Sequence, residues 1–333
     1  MRTGTRECGF SLIEMMISIT IGLMIIAALV GVLVGSSRSS KTNERTSELQ
    51  GNGRYALDYL KRELRQAGYR GYSWAEPSTP TTTIAVTNEC LDGGAANAFV
   101  QNIRQGIWGA NDNNPYTANC LPAASRLRGD VLVTRRVANA PLTGNTLNNT
   151  LYFRSSYAAG EVFLGTGAAA LTGAPAITGT PLADFALQEH VYYIGNGGDN
   201  GTDTTVPALR RIALKGSGDI CNGATVTAAT MCDEMVVSGI EHMQVHYGIA
   251  TTDLNTRYYN AGDTPDLTGA STLSSQNGWD NVNSVRIWLL ARNAKIENGY
   301  TNTSSYTMGD ITYPTQNDGF RRQLFTAVIQ LRN

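Results

Sequence analysis

The chain begins with a long apolar stretch. Between Phe10 and Val34 the only charged residue is Glu14. A helix rises about 1.5 Å per residue, so a run of this length can span the hydrocarbon core of a bilayer, which is about 30 Å thick. The pattern predicts a membrane-spanning helix close to the N-terminus.

Beyond Gly35 the pattern becomes amphipathic, which predicts that the same helix continues outside the membrane. Apolar residues that would share one helix face recur along the segment at Leu49, Ala56, Leu60, Leu64 and Ala67. No proline interrupts the pattern before Pro77, and Gly68 is the expected stop. Gly51 and Gly53 cost helix stability within it. We expect the apolar stripe to pack against a sheet.

The rest of the chain has the pattern of antiparallel β-structure. Short runs of β-branched and aromatic residues alternate with clusters of Gly, Asn, Asp, Thr and Pro, and nothing favours a parallel sheet. The runs expected to form strands are Thr83–Thr87, Asp130–Arg136, Leu151–Arg154, Gln188–Ile194, Leu209–Leu214, Met235–Tyr247, Ser284–Arg292 and Phe325–Leu331. Long surface loops are expected at residues 92–128, 138–149, 165–183 and 250–281. The predicted class is α+β, with a long N-terminal helix packed on an antiparallel sheet.

The charge of the chain argues against nucleic acid as a direct partner. The 333 residues carry a formal net charge of −1, and Lys and Arg are scattered without a basic block. A nucleic-acid-binding surface normally shows as clustered positive charge. Composition therefore favours a loop-rich, β-rich body of the kind found outside the cytosol.

The position of Gly9 suggests cleavage before the apolar stretch. An ordinary secretory signal is cut after an apolar core of about 7 to 15 residues, whereas Gly9 precedes a longer one. An uncut signal anchor is the alternative, but it gives no reason for Glu14, whose burial in a membrane costs about 2.5 to 3.5 kcal/mol. A cut after Gly9 would free an α-amine on Phe10 that could pair with Glu14 of a neighbouring subunit.

The segment Gly9-Phe10-Ser11-Leu12-Ile13-Glu14, behind a short basic leader, resembles the class III leader junction of type IV pilins and type II secretion pseudopilins. The resemblance implies that a prepilin peptidase cuts after Gly9 and N-methylates Phe10. Glu14 would then act in assembly. The implied segments are a leader at 1–9, a membrane and filament-core helix at 10–35, its amphipathic continuation at 36–69 and a periplasmic or extracellular head at 70–333.

The apolar helix departs from major pilins in one respect. Major pilins often have a proline where this chain has Gly31. Gly22, Gly31 and Gly35 provide the weak helix points instead. Local melting of the helix during fibre assembly is therefore a prediction.

Four further segments resemble PilW-type minor pilins. They are Ala56–Tyr69, Gly239–Gly248, Val282–Arg292 and Arg321–Asn333. The resemblance implies a sparse subunit at the pilus tip, which acts in pilus assembly and in pilus-dependent motility, adhesion or DNA uptake. The implied partners are other minor pilins, the major pilin, the prepilin peptidase, the inner-membrane assembly platform and a tip adhesin. The head would be periplasmic before assembly and at the cell surface afterwards.

The cysteine count agrees with cleavage. The chain has five cysteines, and loss of a leader would remove Cys8. The four that remain form two local pairs, Cys90 with Cys120 and Cys221 with Cys232. We predict a disulfide within each pair and an oxidising compartment.

Few residues suggest other chemistry. Asp199, Asn200 and Asp203 offer oxygen ligands for Ca²⁺ but lack the EF-hand spacing, so we expect a turn there. His242 and His246 would share a strand face and only His190 remains as a third imidazole, so packing is favoured over zinc. No catalytic or phosphate-binding motif appears. The four tryptophans are expected in the core.

Two alternatives to a minor pilin stay open. The first is a type II secretion pseudopilin, which shares the N-terminal motif. The second, from a different class, is a membrane-anchored periplasmic module that binds a glycan or calcium. On either pilin interpretation the protein is expected to be no enzyme and to need no cofactor.

Overall fold

The computed structural model describes residues 9, 11–78, 84–91, 99–116, 119–250, 255–263, 273 and 276–332. Two compact units are present, residues 1–48 and residues 49–333. Phe10 and Cys8 lie outside the described residues. The second unit contains all the β-structure, and its fold is described below by itself.

The described helices and strands follow one another in a simple order. The helices are α1 (Leu12–Gln66) and α2 (Gln276–Trp279), and a 3₁₀ turn spans Phe99–Gln101. The strands are β1 (Ile107–Ala110), β2 (Arg126–Val137), β3 (Leu151–Ser156), β4 (Gly160–Leu164), β5 (Leu182–Gly197), β6 (Asp203–Lys215), β7 (Ile220–Cys221), β8 (Ala224–Thr225), β9 (Thr230–Ser238), β10 (Ile240–Ala250), β11 (Thr256–Tyr259), β12 (Val282–Arg292), β13 (Tyr306–Met308), β14 (Ile311–Tyr313) and β15 (Arg322–Gln330).

Two sheets form the body of the second unit. The larger has seven strands, in the order β1-β2-β5-β3-β4, with β6 beside β5 and β9 beside β6. The smaller has four, in the order β11-β10-β12-β15. Each pairing between these strands is antiparallel. The predicted α+β class, with a long N-terminal helix and antiparallel sheets, is confirmed.

The last five turns of α1 supply one wall of the main core. Leu49, Ala56, Leu57, Leu60 and Leu64 are buried against residues of both sheets. Strand β15 comes so close that a Cβ on Gly53 would lie 2.2 Å from the ring of Phe325. Gly53, which costs helix stability, is therefore required by packing.

The helix ends where the sequence predicts. Gly68 has φ +81°, a left-handed conformation that glycine adopts without strain. Its N–H donates to the carbonyl of Arg135 on β2, at 2.9 Å. The end of α1 is thereby fixed to the seven-stranded sheet.

Strand β2 is buried on both faces because the seven-stranded sheet lies between two cores. Leu132 joins the core that contains α1, while Val131 and Val133 join a second core. Cys90 and Cys120 also belong to this second core and form a disulfide. Another disulfide joins Cys221 to Cys232. The structure thus contains the two predicted pairs.

Two strand predictions are wrong. The run Met235–Tyr247 is divided at Gly239, which has φ +80°, so that β9 belongs to the larger sheet and β10 to the smaller. The Gly239 N–H donates to the Pro207 carbonyl and its own carbonyl accepts from the Arg292 N–H, both at 2.7 Å. Of the run Thr83–Thr87, Thr83 lies outside the described residues and Thr87 forms only an isolated bridge with Thr230.

Three of the predicted loops overlap regular structure. The stretch 92–128 includes β1 and the start of β2, the stretch 165–183 includes the first two residues of β5, and the stretch 250–281 includes the last residue of β10, β11 and α2. The elements β1, β11 and α2 have four residues each, too few for a periodic pattern to mark them in the sequence.

Candidate functional site

The residues to which the sequence assigns processing and assembly lie in the first turn of α1 and just before it. Gly9 is exposed, and α1 begins three residues later. The Ser11 N–H donates to Oε2 of Glu14 at 3.4 Å, and the Met15 N–H donates to the Ser11 carbonyl at 3.1 Å. A Ser followed three residues later by a Glu that bonds back to its N–H is the side-chain half of a capping box. Glu14 therefore has a local role before any neighbour is present.

The segment after this turn exposes apolar side chains on every side. One helix of the described residues, α1, is long and apolar enough to cross a membrane, and none of its most apolar window is buried. The hydroxyls of Ser18 and Thr20 donate to carbonyls of the same helix, at 2.8 and 2.9 Å. Its polar side chains are satisfied internally, as a lipid or protein environment requires. A surface of this kind needs a cover that the chain itself does not supply.

The three glycines of this segment have no close neighbours among the described residues. A Cβ at Gly22, Gly31 or Gly35 would meet nothing within 4 Å. The helix runs through all three without interruption. Packing within the chain thus gives no reason for them, in contrast to Gly53, and local melting at these positions stays a prediction.

The C-terminal end of α1 carries a buried ionic contact with the larger sheet. Glu63 lies 2.9 Å from Nδ1 of His190 and 3.5 Å from Nη2 of Arg136. Burial opposes ionisation of Glu63, but the hydrogen bond from His190 and the nearby guanidinium groups outweigh it and lower its pKa to about 2. Glu63 is therefore an anion that fixes the helix to β2 and β5.

Two other carboxyl groups in the head have pKa values shifted in the opposite direction. Burial raises the pKa of Glu189 to about 8, although Nε of Arg135 lies 3.7 Å away. Burial also raises the pKa of Asp130 to about 7, with the carboxylates of Asp112 and Asp310 adding to the effect. Both side chains are buried, so their titration bears on the stability of the head.

Three of the four segments that carry the PilW resemblance meet in a cluster that sequence reasoning missed. Glu241 on β10 accepts from Nε of Arg322 at 2.5 Å and from Nη2 at 3.2 Å. Asp318 accepts from the same guanidinium, and the Tyr313 hydroxyl donates to Glu241 at 3.2 Å. Arg292 of β12 lies 3.7 Å from Glu241. The cluster explains why Glu follows Gly-Ile and why Arg begins the last strand.

The loop that contains the candidate calcium ligands is arranged around the guanidinium group of Arg210. Arg210 donates to the carbonyls of Asn196, Gly198 and Asp199 at 2.7 to 3.1 Å. Asp203 accepts from the backbone N–H and the hydroxyl of Thr205, as in an ordinary Asx turn. Asn200 lies in the turn between them. A cationic side chain is thus already present among these oxygens, and the segment contains the expected turn. Calcium binding there stays an untested alternative.

The histidines pack against aromatic rings and carboxylates. His242 contacts the ring of Tyr313 and His246 that of Trp288, with centroids 5.6 and 4.8 Å apart. Burial lowers the pKa of His242 to about 4. Within the part of the chain that the structure describes, no group of three or more His, Cys, Asp or Glu side chains could hold a metal ion.

The tryptophans do not all behave as expected. Trp279 is buried, and Trp108 and Trp288 are partly buried. Trp74, in contrast, is 86% exposed. The expectation of core burial is therefore wrong for Trp74, because it lies in the turn after α1 with its backbone fixed and its ring outside the core.

Comparisons with known protein families give a match near each end of the chain. Residues 191–333 match the family of the type IV pilus-assembly protein W, and residues 4–30 match the prokaryotic N-terminal methylation motif. No curated protein sequence matches the chain. A type IV-like pilin from Thermus thermophilus has a similar structure, with 16% identity over 86% of this chain and 95% of that one and a TM-score of 0.33. A TM-score so low supports no argument. The two family matches confirm the resemblance to the prepilin N-terminus and to PilW-type proteins.

Proposed function

Since the chain joins a prepilin-type N-terminus to a PilW-type C-terminal region, we propose that it is a minor subunit of a type IV pilus. It would enter the filament through the first part of α1 and present its head at or near the tip. Its task is assembly of the filament and the functions that depend on it, namely motility, adhesion or DNA uptake.

The observation that carries the proposal is the apolar surface at the start of α1. Sixteen large apolar side chains between Leu12 and Val34 are exposed, and Glu14 is the only charged group among them. Such a surface is covered by lipid before assembly and by neighbouring helices in a filament. One protein can use both covers in turn, because both are apolar.

Glu14 has two roles on this proposal. In the uncut chain it closes the first turn of α1 by accepting from Ser11. After a cut at Gly9, the new α-amine of Phe10 on the adjacent subunit offers a charged partner for the same carboxylate. Only the second role requires a negative charge, because an uncharged amide oxygen can also accept from the Ser11 N–H.

Three substitutions at Glu14 and Glu44 separate these roles. Glu14→Gln keeps the cap and removes the charge, Glu14→Ala removes both, and Glu44→Ala is a matched control on an exposed part of α1. We expect both Glu14 variants to lose their leader normally but to be depleted from sheared pili, with Glu44→Ala at wild-type level. Normal incorporation of Glu14→Gln would show that the charge has no role in assembly.

Leader removal is tested separately at Gly9. We expect the Gly9→Val protein to stay in the membrane fraction with residues 1–9 still attached and to be absent from pili. The intact mass of the protein shows whether these residues are present. Incorporation of an uncut Gly9→Val chain into filaments would contradict the processing step.

The size of the head supports a sparse position in the filament. About 265 residues follow Gly68, and so large a body is difficult to repeat at every position of a thin fibre. We expect quantitative mass spectrometry of sheared pili to find this chain far below the major pilin, and gold-labelled antibody to mark filament ends. Equimolar amounts along the fibre would contradict a tip position.

The match to a pilus-assembly family supports the pilus over a type II secretion system. Deletion of the gene distinguishes the two. We expect loss or shortening of surface pili with secretion of exoenzymes unchanged, and the reverse result would favour a pseudopilin.

A further inference from the structure

A cavity of about 610 Å³ lies in the head where α1 ends. Its walls come from the turn after the helix, from residues 104–107, from the end of α2 and from the C-terminal Leu331 and Arg332. Its volume lies in the range of small-ligand sites, which is about 300 to 1,000 Å³. Nothing in the assembly role of the N-terminal helix requires this cavity.

Close backbone packing forms the cavity and fixes its shape. A Cβ on Gly106 would lie 2.4 Å from Cα of Gly68, so only glycine allows these two segments to meet. Hydrogen bonds hold the turn that follows α1 to β3 and to Tyr157, the residue after β3. The Tyr72 N–H donates to Oγ of Ser155 at 2.8 Å, and the Trp74 N–H donates to the Tyr157 carbonyl at 3.3 Å.

Trp74 lines the cavity and presents its indole ring to solvent. It is 86% exposed, more than any other large apolar side chain described, including those of α1. A tryptophan that packed in a core would remove about 150 to 250 Å² from water. Trp74 does not gain this burial, although hydrogen bonds hold its backbone in place. An exposed aromatic side chain on a fixed backbone is typical of a ligand-binding site.

Arg104 supplies hydrogen-bond donors to the lining, on a side chain that is 36% exposed. Nε1 of Trp279 and Nε of Arg104 are closed to solvent, so a ligand in the cavity does not reach these two atoms.

Two acceptors complete the polar lining. Nη2 of Arg104 lies 2.5 Å from Glu76 and 3.7 Å from Asp280, and both carboxylates line the cavity. The guanidinium is therefore held in one orientation. Arg70 and Arg332 contribute further positive charge to the same lining.

We propose that this cavity binds carbohydrate, with one sugar ring stacked on Trp74 and its hydroxyl groups held by Arg104, Glu76 and Asp280. A pyranose has an apolar face that an indole ring can cover and a rim of hydroxyls that both donate and accept. The mixture of an exposed aromatic ring, a partly exposed guanidinium donor and carboxylate acceptors suits that chemistry. The lining has three guanidinium groups, of Arg70, Arg104 and Arg332, against the two carboxylates of Glu76 and Asp280. This balance of charge favours a sugar that bears a carboxylate over a neutral one.

The test uses the full-length protein in a detergent without a sugar head group. The probes are oligomers of galacturonic acid, galactose and N-acetylglucosamine at millimolar concentration, with binding followed by calorimetry and by tryptophan fluorescence. We expect galacturonic acid oligomers to bind most tightly, and Trp74→Ala to weaken this binding by about tenfold or more, as for truncation of a central aromatic contact. Trp74→Tyr should retain part of the affinity.

Tyr55→Ala is the matched control, because Tyr55 is an exposed aromatic residue of α1 that does not line the cavity. It should bind sugar as the wild type does, and all three variants should melt at the wild-type temperature. Absence of binding by every oligomer, or equal binding by Trp74→Ala, would overturn the proposal. So would a photo-cross-linker at position 74 that captures another pilin in intact pili while no sugar binds. Neither result bears on leader cleavage or incorporation, so the pilus proposal is tested independently.

Discussion

The two parts of α1 contrast sharply in what surrounds them. In the first part, up to Val34, every large apolar side chain is exposed. In the last part, Leu49, Leu60 and Leu64 are buried against strands of the head. The helical backbone is regular across both. A single helix thus satisfies two different environments, one supplied by the chain itself and one supplied from outside it.

The glycines show the same contrast. Gly53 faces the ring of Phe325, whereas Gly31 faces open space. In the last part of α1 the buried residues are explained by named neighbours in the two sheets. In the first part the proposed function assigns the explanation to the membrane and to other subunits. Substitutions should therefore act on the stability of the head in one part and on assembly in the other.

The largest effect on stability is expected at Leu60. Its side chain is fully buried, so Leu60→Ala should lower the free energy of unfolding of the head by about 2 to 5 kcal/mol, through lost apolar contact and the cavity that remains. Leu29→Ala makes the same change on a side chain that is 58% exposed, and should leave the melting of the head unchanged. Urea unfolding of both variants in detergent measures the difference. A comparable loss at Leu29 would break the contrast between the two parts.

The next effect is a pH dependence set by Glu189. Its pKa is raised from 4.5 in the unfolded chain to about 8 in the fold. The stability it contributes is therefore present below the unfolded value and is lost as pH rises through about 8. We expect Glu189 to contribute a fall of about 3 to 4 kcal/mol between about pH 5 and pH 8. Glu189→Gln should remove this contribution and leave the smaller fall that Asp130 sets. Thermal melts across this range provide the measurement.

Glu63, on the last part of α1, provides the opposite case. Its pKa is lowered to about 2, so the stability it contributes is present above the unfolded value of 4.5 and is lost as pH falls through about 2. Glu63→Gln should therefore change the acid limb of the melting profile and not the limb above neutral pH. The same change in both limbs for both variants would show that other groups set the profile.

The extent to which sequence predicts this protein follows from the same contrast. The apolar run, the stop at Gly68 and the cysteine pairs depend on local patterns, and the structure contains all of them. The division of the sheets at Gly239 depends on a left-handed residue within an apparently continuous strand pattern, so periodicity could not reveal it. The pairing of Glu241 with Arg322 joins residues distant in sequence, and the exposure of Trp74 depends on what its turn packs against.

Gly51 and Gly53 provide a sharper test within two residues of each other. Gly53→Ala should destabilise the head by about 1 to 3 kcal/mol, because the new methyl group would collide with the ring of Phe325. Gly51→Ala meets nothing within 4 Å and should stabilise the helix by about 0.5 to 1 kcal/mol. The two variants should therefore shift the melting temperature in opposite directions. Stabilisation by both would mean that β15 moves aside and that the close contact at Gly53 is not required.

The smallest effect on the head is expected from the glycines of the first part. In a triple variant with alanine at Gly22, Gly31 and Gly35, none of the new methyl groups has a neighbouring atom within 4 Å. The unfolding free energy of the head should therefore stay within about 0.5 kcal/mol of wild type. The same triple variant stiffens the helix, since each glycine costs about 1 kcal/mol relative to alanine. If local melting is part of assembly, the variant is cut normally and folds normally but is depleted from sheared pili. Full incorporation would show that the helix enters the filament without melting and that these glycines serve close packing between subunits.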